Sequence, residues 1–182
     1  MKVLVCKNKH CRHHGSDGVI KKLEQKASEK GVEVLHSSCM DLCEAGPNVM
    51  LFPSLKLYGE VEEKDIDRLL NNDIEYLRHP DSLIYDKEIL EAYFDNPMHH
   101  RTVKLFRYHL EKYDNMAFTN LIDIIKVFQT KYALLGNDFS YPVKVSILGT
   151  VKGPDLPKVI HLLGKERTID LMNTFLKKVS SR

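Results

Sequence analysis

An α/β amino-terminal domain followed by a mainly α-helical one is the fold class this sequence predicts, on three observations. Two short apolar runs, at residues 3–5 and 32–36, flank a stretch of helical spacing, the pattern of strand, helix and strand. All four cysteines, Cys6, Cys11, Cys39 and Cys43, fall in the first 43 of 182 residues, so reactive chemistry is concentrated at that end. Beyond residue 83 apolar side chains recur every three or four positions, the period of amphipathic helices. The predicted domains are residues 1–78 and 83–182, divided by a linker at Arg78, His79, Pro80, Asp81 and Ser82.

Val3, Leu4 and Val5 make the first strand, which ends where Cys6 begins. Gly15, Ser16, Asp17 and Gly18 mark a loop, with Ser16 the expected N-cap of a helix. That helix buries Val19, Ile20, Leu23 and Ala27, turns Lys21, Lys22, Glu24, Gln25 and Glu29 to water, and closes at Gly31. Residues 32–36 form the second strand, and a helical crossover between the two makes them parallel and the connection right-handed. After Pro47, residues 48–52 and 56–58 read as a hairpin around Pro53, Ser54 and Leu55. Glu62, Glu63, Asp65 and Asp67 crowd the first turns of the next helix, where acids favour the positive end of its dipole, and Ile66, Leu69 and Leu70 are its buried face. The expected order is β-α-β-β-β-α.

Five or six helices should follow. Ile89, Leu90, Tyr93 and Phe94 belong to the first; Asn96 and Pro97 start a second that carries Val103, Phe106, Leu110 and Tyr113. The longest keeps helical spacing from Phe118 through Leu121, Ile122, Ile125, Phe128, Tyr132 and Leu135 to Gly136, with Ile124 and Val127 widening its apolar face. Residues 141–148 alternate like a strand at Val143, Val145 and Ile147, yet Ser140 and Pro142 suit a helix start, and a short helix is expected. Asp155 caps a segment through Leu163, Gly164 breaks it, and Ile169, Met172, Phe175, Leu176 and Val179 face inward from the last helix. His99, His100 and His109 share a helical face only loosely and read as surface residues rather than ligands.

Charge excludes little but points nowhere. Residues 1–80 carry 12 basic and 13 acidic groups and residues 81–182 carry 15 and 12, net −1 and +3, so neither half reads as a polyanion binder and no nucleic acid partner is expected. The start, Met1, Lys2, Val3, Leu4, Val5 and Cys6, lacks the apolar core of a secretory signal, and no later stretch is apolar enough to insert into a membrane. A cytoplasmic location is expected. In a reducing compartment paired cysteines serve as metal ligands or catalytic thiols more often than as disulfides.

The four thiols read C-x4-C, 27 residues, then C-x3-C. Cys6 follows the first strand and Cys39 the second, so both stand at the carboxyl edge of neighbouring parallel strands, the usual ligand side of an open α/β sheet. Two loops from one edge can then close on one inorganic centre. A structural zinc site on four thiolates has similar spacing. A thioredoxin-type dithiol uses C-x-x-C, which neither pair matches, and a Rieske centre needs two histidine ligands where this chain has cysteine. His10, His13 and His14 beside Cys11 are expected to be exposed, and Met40 and Leu42 to be apolar cover. Lys7, Lys9 and Arg12 are either solvated or placed to offset the charge of an anionic centre.

These residues resemble the thioredoxin-like [2Fe-2S] ferredoxins, a family that includes small ferredoxins and the related peripheral subunit of respiratory complex I and some hydrogenases. The resemblance is carried by the strand into Cys6 and Cys11, by Cys39, Cys43, Ala45, Gly46 and Pro47, and by Val49 to Phe52 leading to Tyr58, Val61 and Asp65. It covers roughly the first 75 residues, and the C-x4-C loop looks more like the complex I subunit than the stand-alone ferredoxins, whose first loop is longer. It implies a thioredoxin-like β-α-β-β-β-α domain, a cis bond before Pro47, and a [2Fe-2S] cluster on Cys6, Cys11, Cys39 and Cys43. The function it implies is one-electron transfer to or from a redox partner protein, such as a flavoprotein, a hydrogenase or a reductase. The helical half is then expected to dock or dimerise the protein. The alternatives are a zinc-stapled binding module without redox activity and an electron-transfer subunit of a larger oxidoreductase.

Overall fold

The computed structural model of the chain describes residues 1–71 and 87–180. Their contacts divide the chain into two units, Met1–His79 with Lys152–Asp155, and Pro80–Val151 with Leu156–Arg182. The linker expected at residues 78–82 lies outside the described residues.

The first unit is built on a four-stranded sheet of order β2-β1-β3-β4, with β1 Lys2–Cys6, β2 Glu33–Ser37, β3 Val49–Phe52 and β4 Lys56–Tyr58. β1 and β2 are parallel, Leu4 opposite Leu35 and Cys6 opposite Ser37, as the strand-helix-strand pattern required. β3 runs antiparallel to both β1 and β4. The crossover helix, α2 Ser16–Ala27, lays Val19, Ile20 and Leu23 on Val3 and Val5, and α3 Ile66–Leu70 adds Ile66, Leu69 and Leu70 to the same core. Each such side chain taken from water stabilises the fold by roughly 1.5–3 kcal/mol. The expected fold class is the one observed, with one addition: a short helix, α1 Lys9–His13, precedes α2. Ser16 is not the N-cap. Gly15 makes the turn at φ 97°, a backbone angle glycine adopts without strain, so Ser16 becomes the first helical residue and is buried.

The second unit shows six helices among the described residues: α4 Lys87–Phe94, α5 Pro97–Glu111, α6 Phe118–Tyr132, α7 Asn137–Leu148, α8 Leu156–Leu163 and α9 Lys165–Ser180. Asn96 caps α5 through its side chain, which accepts from the Met98 N–H, with Pro97 at the first turn. Phe106, Phe128 and Phe139 meet edge to face or tilted, with centroids 4.9–5.7 Å apart, and centre the core. α7 is buried nearly all round, at Phe139, Val143, Val145, Ile147 and Leu148, and a helix apolar on every side has no helical stripe to read.

Two expectations fail here. α6 stops at Tyr132 because Ala133 turns left-handed at φ 52°, which tucks Leu134 in and leaves Leu135 71% exposed; Val127 is also exposed. His99 and His109 are not surface residues. Both are buried, His99 Nδ1 lying 3.2 Å from the Tyr93 carbonyl and His109 Nε2 3.2 Å from the Ile124 carbonyl. An imidazole satisfied by a backbone carbonyl packs like an aromatic ring, which spacing alone does not foretell. No helix among the described residues is long and apolar enough to cross a membrane.

Candidate metal centre

Cys6 closes β1, and Cys39 lies two residues past the end of β2, so the parallel pairing brings both to one sheet edge. Cys11 sits in α1 and Cys43 opens a short 3-10 turn, Cys43–Ala45. None of the four is in a disulfide; Cys6 and Cys11 are buried, Cys39 and Cys43 partly so. They stand in two pairs. The Cys39 and Cys43 sulfurs are 3.3 Å apart, and the Cys6 and Cys11 thiols hydrogen-bond to each other.

The sulfurs are also served by N–H donors. The Asp41 amide reaches Cys39 Sγ at 3.4 Å, the Asn48 side-chain amide reaches Cys11 Sγ at 3.4 Å, and the Asn8 and Met40 amides point to Cys6. Burial pushes the Cys6 thiol up to about 11; the Asn8 amide pulls it back, the Cys11 thiol raises it further, and the Met40 amide lowers it. The Cys43 thiol is raised above its ordinary value, first by its hydrogen bond with Cys39, then by burial and by the charge of Cys39, Cys11 and Asp41. Thiols that resist ionisation because of burial and of neighbouring thiols, yet are met by N–H donors, are suited to thiolates held by cations.

The loops are packed to hold this geometry. A Cβ added at Gly46 would come within 3.2 Å of Cys11 Sγ and 3.3 Å of Cys11 Cα, so only glycine lets the second ligand loop lie against the first. The Gly46-Pro47 peptide is cis, as the resemblance implied, and Phe52-Pro53 is cis as well. Met40 is fully buried, in keeping with apolar cover, and Leu42 partly so. The segment Lys152–Asp155 also lies on this loop: the Gly153 amide donates to the Met40 carbonyl at 2.8 Å and Ser38 Oγ donates to Asp155 at 2.5 Å.

Among the described residues, no three His, Cys, Asp or Glu side chains converge to hold a single metal ion. Two thiol pairs with N–H donors match instead the donor set of a two-iron centre, two thiolates to each iron, so the residues present fit a [2Fe-2S] cluster. His10, His13 and His14 are exposed and line, with Lys7, Lys9 and Arg12, an open hollow of about 700 Å³ beside Cys11; Arg12 Nε donates to Asp17 at 3.0 Å. Sequence reading missed Asn48 and the 152–155 segment. A polar residue opening an apolar strand was the one available signal for Asn48; the other contact spans more than a hundred residues and leaves none.

The helical unit has a second feature. Between α5 and α9 runs a groove of about 300 Å³ lined by Lys104, Arg107, Tyr108, Asn173 and Lys177. The Arg107 guanidinium stacks 4.2 Å from the centroid of Tyr108, whose ring is 56% exposed, and Arg107 Nη1 also donates to Glu111 at 3.0 Å.

The model of the anticodon binding domain family matches residues 70–176. Glutamate–tRNA ligase 2 from Caldanaerobacter subterraneus subsp. tengcongensis is 22% identical over 148 residues, which is 71% of this chain and 30% of that protein, so the chain spans under a third of this relative's length. Structures of the thioredoxin-like [2Fe-2S] ferredoxin from Aquifex aeolicus align with the N-terminal part. The wild type is 24% identical, covering 39% of this chain and 82% of its own at a TM-score of 0.36. A cysteine-to-serine variant is 22% identical, covering 41% and 86% at 0.37.

Proposed function

Because the chain belongs to the anticodon binding domain family through residues 70–176, we propose a two-part protein: an N-terminal one-electron carrier joined to a helical module that binds RNA. The carrier reading rests on one observation, the two thiol pairs at one sheet edge, Cys6 with Cys11 and Cys39 with Cys43, each pair met by N–H donors. These four thiolates would hold a [2Fe-2S] cluster, which supplies a reversible one-electron couple when bound. The chain's own part is to exclude water with Met40, to offset sulfur charge with amides, and to present the exposed Lys7, Lys9, His10 and Arg12 at and before α1 to a redox partner. Anaerobic purification tests this. About two irons and two acid-labile sulfides per chain, with an electron paramagnetic resonance signal after one-electron reduction, are expected; a colourless chain with one zinc would defeat it.

The helical module's reading is carried by the family match. Its small net charge gave no reason to expect a nucleic acid, but the groove of Lys104, Arg107, Tyr108 and Lys177 combines an exposed ring with cations. That pairing suits an unstacked base beside phosphates. Fluorescence anisotropy with an anticodon stem-loop RNA is the test, and binding that vanishes with salt is expected. No binding at low salt would leave docking to a protein as the module's role.

A further inference from the structure

Asn48 lies between Pro47 and the first residue of β3 and is 1% exposed. Its Nδ2 lies 2.7 Å from the Leu42 carbonyl and 3.4 Å from Cys11 Sγ. A carbonyl oxygen only accepts, so the atom facing Leu42 has to be the NH2 group, which fixes the orientation of the amide. That group has two hydrogens. One serves Leu42, next to Cys43 in the second ligand loop, and the other is left for the sulfur of Cys11 in the first. The Oδ1 on the far side has no partner among the described residues and lies where a Cβ at Gly59 would come within 3.4 Å of it. A buried amide that leaves its acceptor unsatisfied while both hydrogens are engaged is held there for its donors.

We propose that Asn48 is a positioning residue that sets the reduction potential of the cluster by donating a side-chain N–H to the Cys11 sulfur. This rests on the carrier reading above. An N–H dipole aimed at a ligand sulfur stabilises whichever state carries more negative charge, and adding one electron makes the centre more negative. The donor therefore favours the reduced state and raises the potential. Asn48 also ties the two ligand loops together through Leu42, so its loss has a structural effect that the test has to separate.

Asn48→Leu keeps the size and removes the donor. In the full chain, reconstituted anaerobically and titrated by mediated redox potentiometry, the variant should shift about tenfold toward the oxidised form at fixed potential, a fall of ~59 mV for one electron. A loaded Asn48→Leu chain of lower stability but unchanged potential overturns the proposal and leaves Asn48 as a loop tie. Should this variant load no cluster, an Asn8→Ser chain decides: the Asn8 group that meets Cys6 is its backbone amide, which the substitution keeps and side-chain labelling does not mark, while the Asn48 side chain stays at the Cys11 sulfur. With nitrogen-15 in its asparagine side-chain amides, the reduced-state resonance should carry a nitrogen-15 coupling; its absence overturns the proposal. A wild-type chain that takes up no cluster sinks this inference together with the carrier reading, which distinguishes the two failures.

Discussion

Replacing Gly46 with alanine adds a single methyl group between the two ligand loops. Gly46 sits at φ −73° and ψ 155°, angles open to any residue, so the substitution causes no backbone strain and its effect is steric. The new Cβ would lie 3.2 Å from Cys11 Sγ, 3.3 Å from its Cα and 3.7 Å from its Cβ, against an optimum of about 3.5–4.0 Å for carbon pairs. The loops have to part by a few tenths of an ångström, and one contact is backbone, which does not rotate away. Overpacking of this kind costs roughly 1–3 kcal/mol, while the stiffer unfolded chain returns roughly 0.4–1 kcal/mol. A net loss of up to roughly 2.6 kcal/mol is expected in a urea titration of the metal-free chain, by difference of the two. In the reconstituted chain the displaced thiol is Cys11, so iron per chain should fall as well. An alanine variant as stable as the wild type and equally loaded would refute the claim that close approach at Gly46 organises the site.

Other glycines make a graded series. At Gly59 an added Cβ would stand 2.7 Å from the Ala45 carbonyl, which also accepts from Glu60, so Gly59→Ala should cost at least the upper end of the roughly 1–3 kcal/mol overpacking range, read by urea midpoint. At Gly18 the close atom is only the carboxylate end of Glu63, which can swing into water, so Gly18→Ala inside α2 should stabilise by roughly 0.5–1 kcal/mol. Burial holds His99 and His109 below the ordinary histidine value, with their carbonyl partners opposing. Their stabilising contribution is therefore full above about pH 6.5 and lost as pH falls through the lowered values. Chain stability followed by circular dichroism should drop between pH 7 and 5, less so in His99→Gln with His109→Gln; a flat profile in the wild type counts against burial as the cause. If the α5/α9 groove takes phosphates, Lys104→Ala and Lys177→Ala should each lower the slope of log affinity against log salt by about 0.7–0.9, with anisotropy as the measure.

Legibility differed between the halves for a physical reason. In the first, strands are short apolar runs and turns carry glycine and proline, so the parallel pairing of β1 with β2 and the single edge shared by Cys6 and Cys39 could be read in advance. In the second, the amphipathic α5 and α9 were plain and a helix was expected over residues 141–148, although α7, apolar nearly all round, starts earlier at Asn137; α6 ended three residues sooner than its hydrophobic spacing to Leu135 suggested. A left-handed alanine leaves no mark in composition.

Which residues could ligate iron was decided by the chain alone, because thiol chemistry belongs to residue type and spacing follows from connectivity. What surrounds each sulfur was decided only by folding. Asn48 meets Cys11 across 37 positions, Gly46 presses on the same thiol, and Asp155 reaches Ser38 across 117. Such contacts depend on where loops come to rest once the sheet has formed, and no local preference of the backbone encodes that.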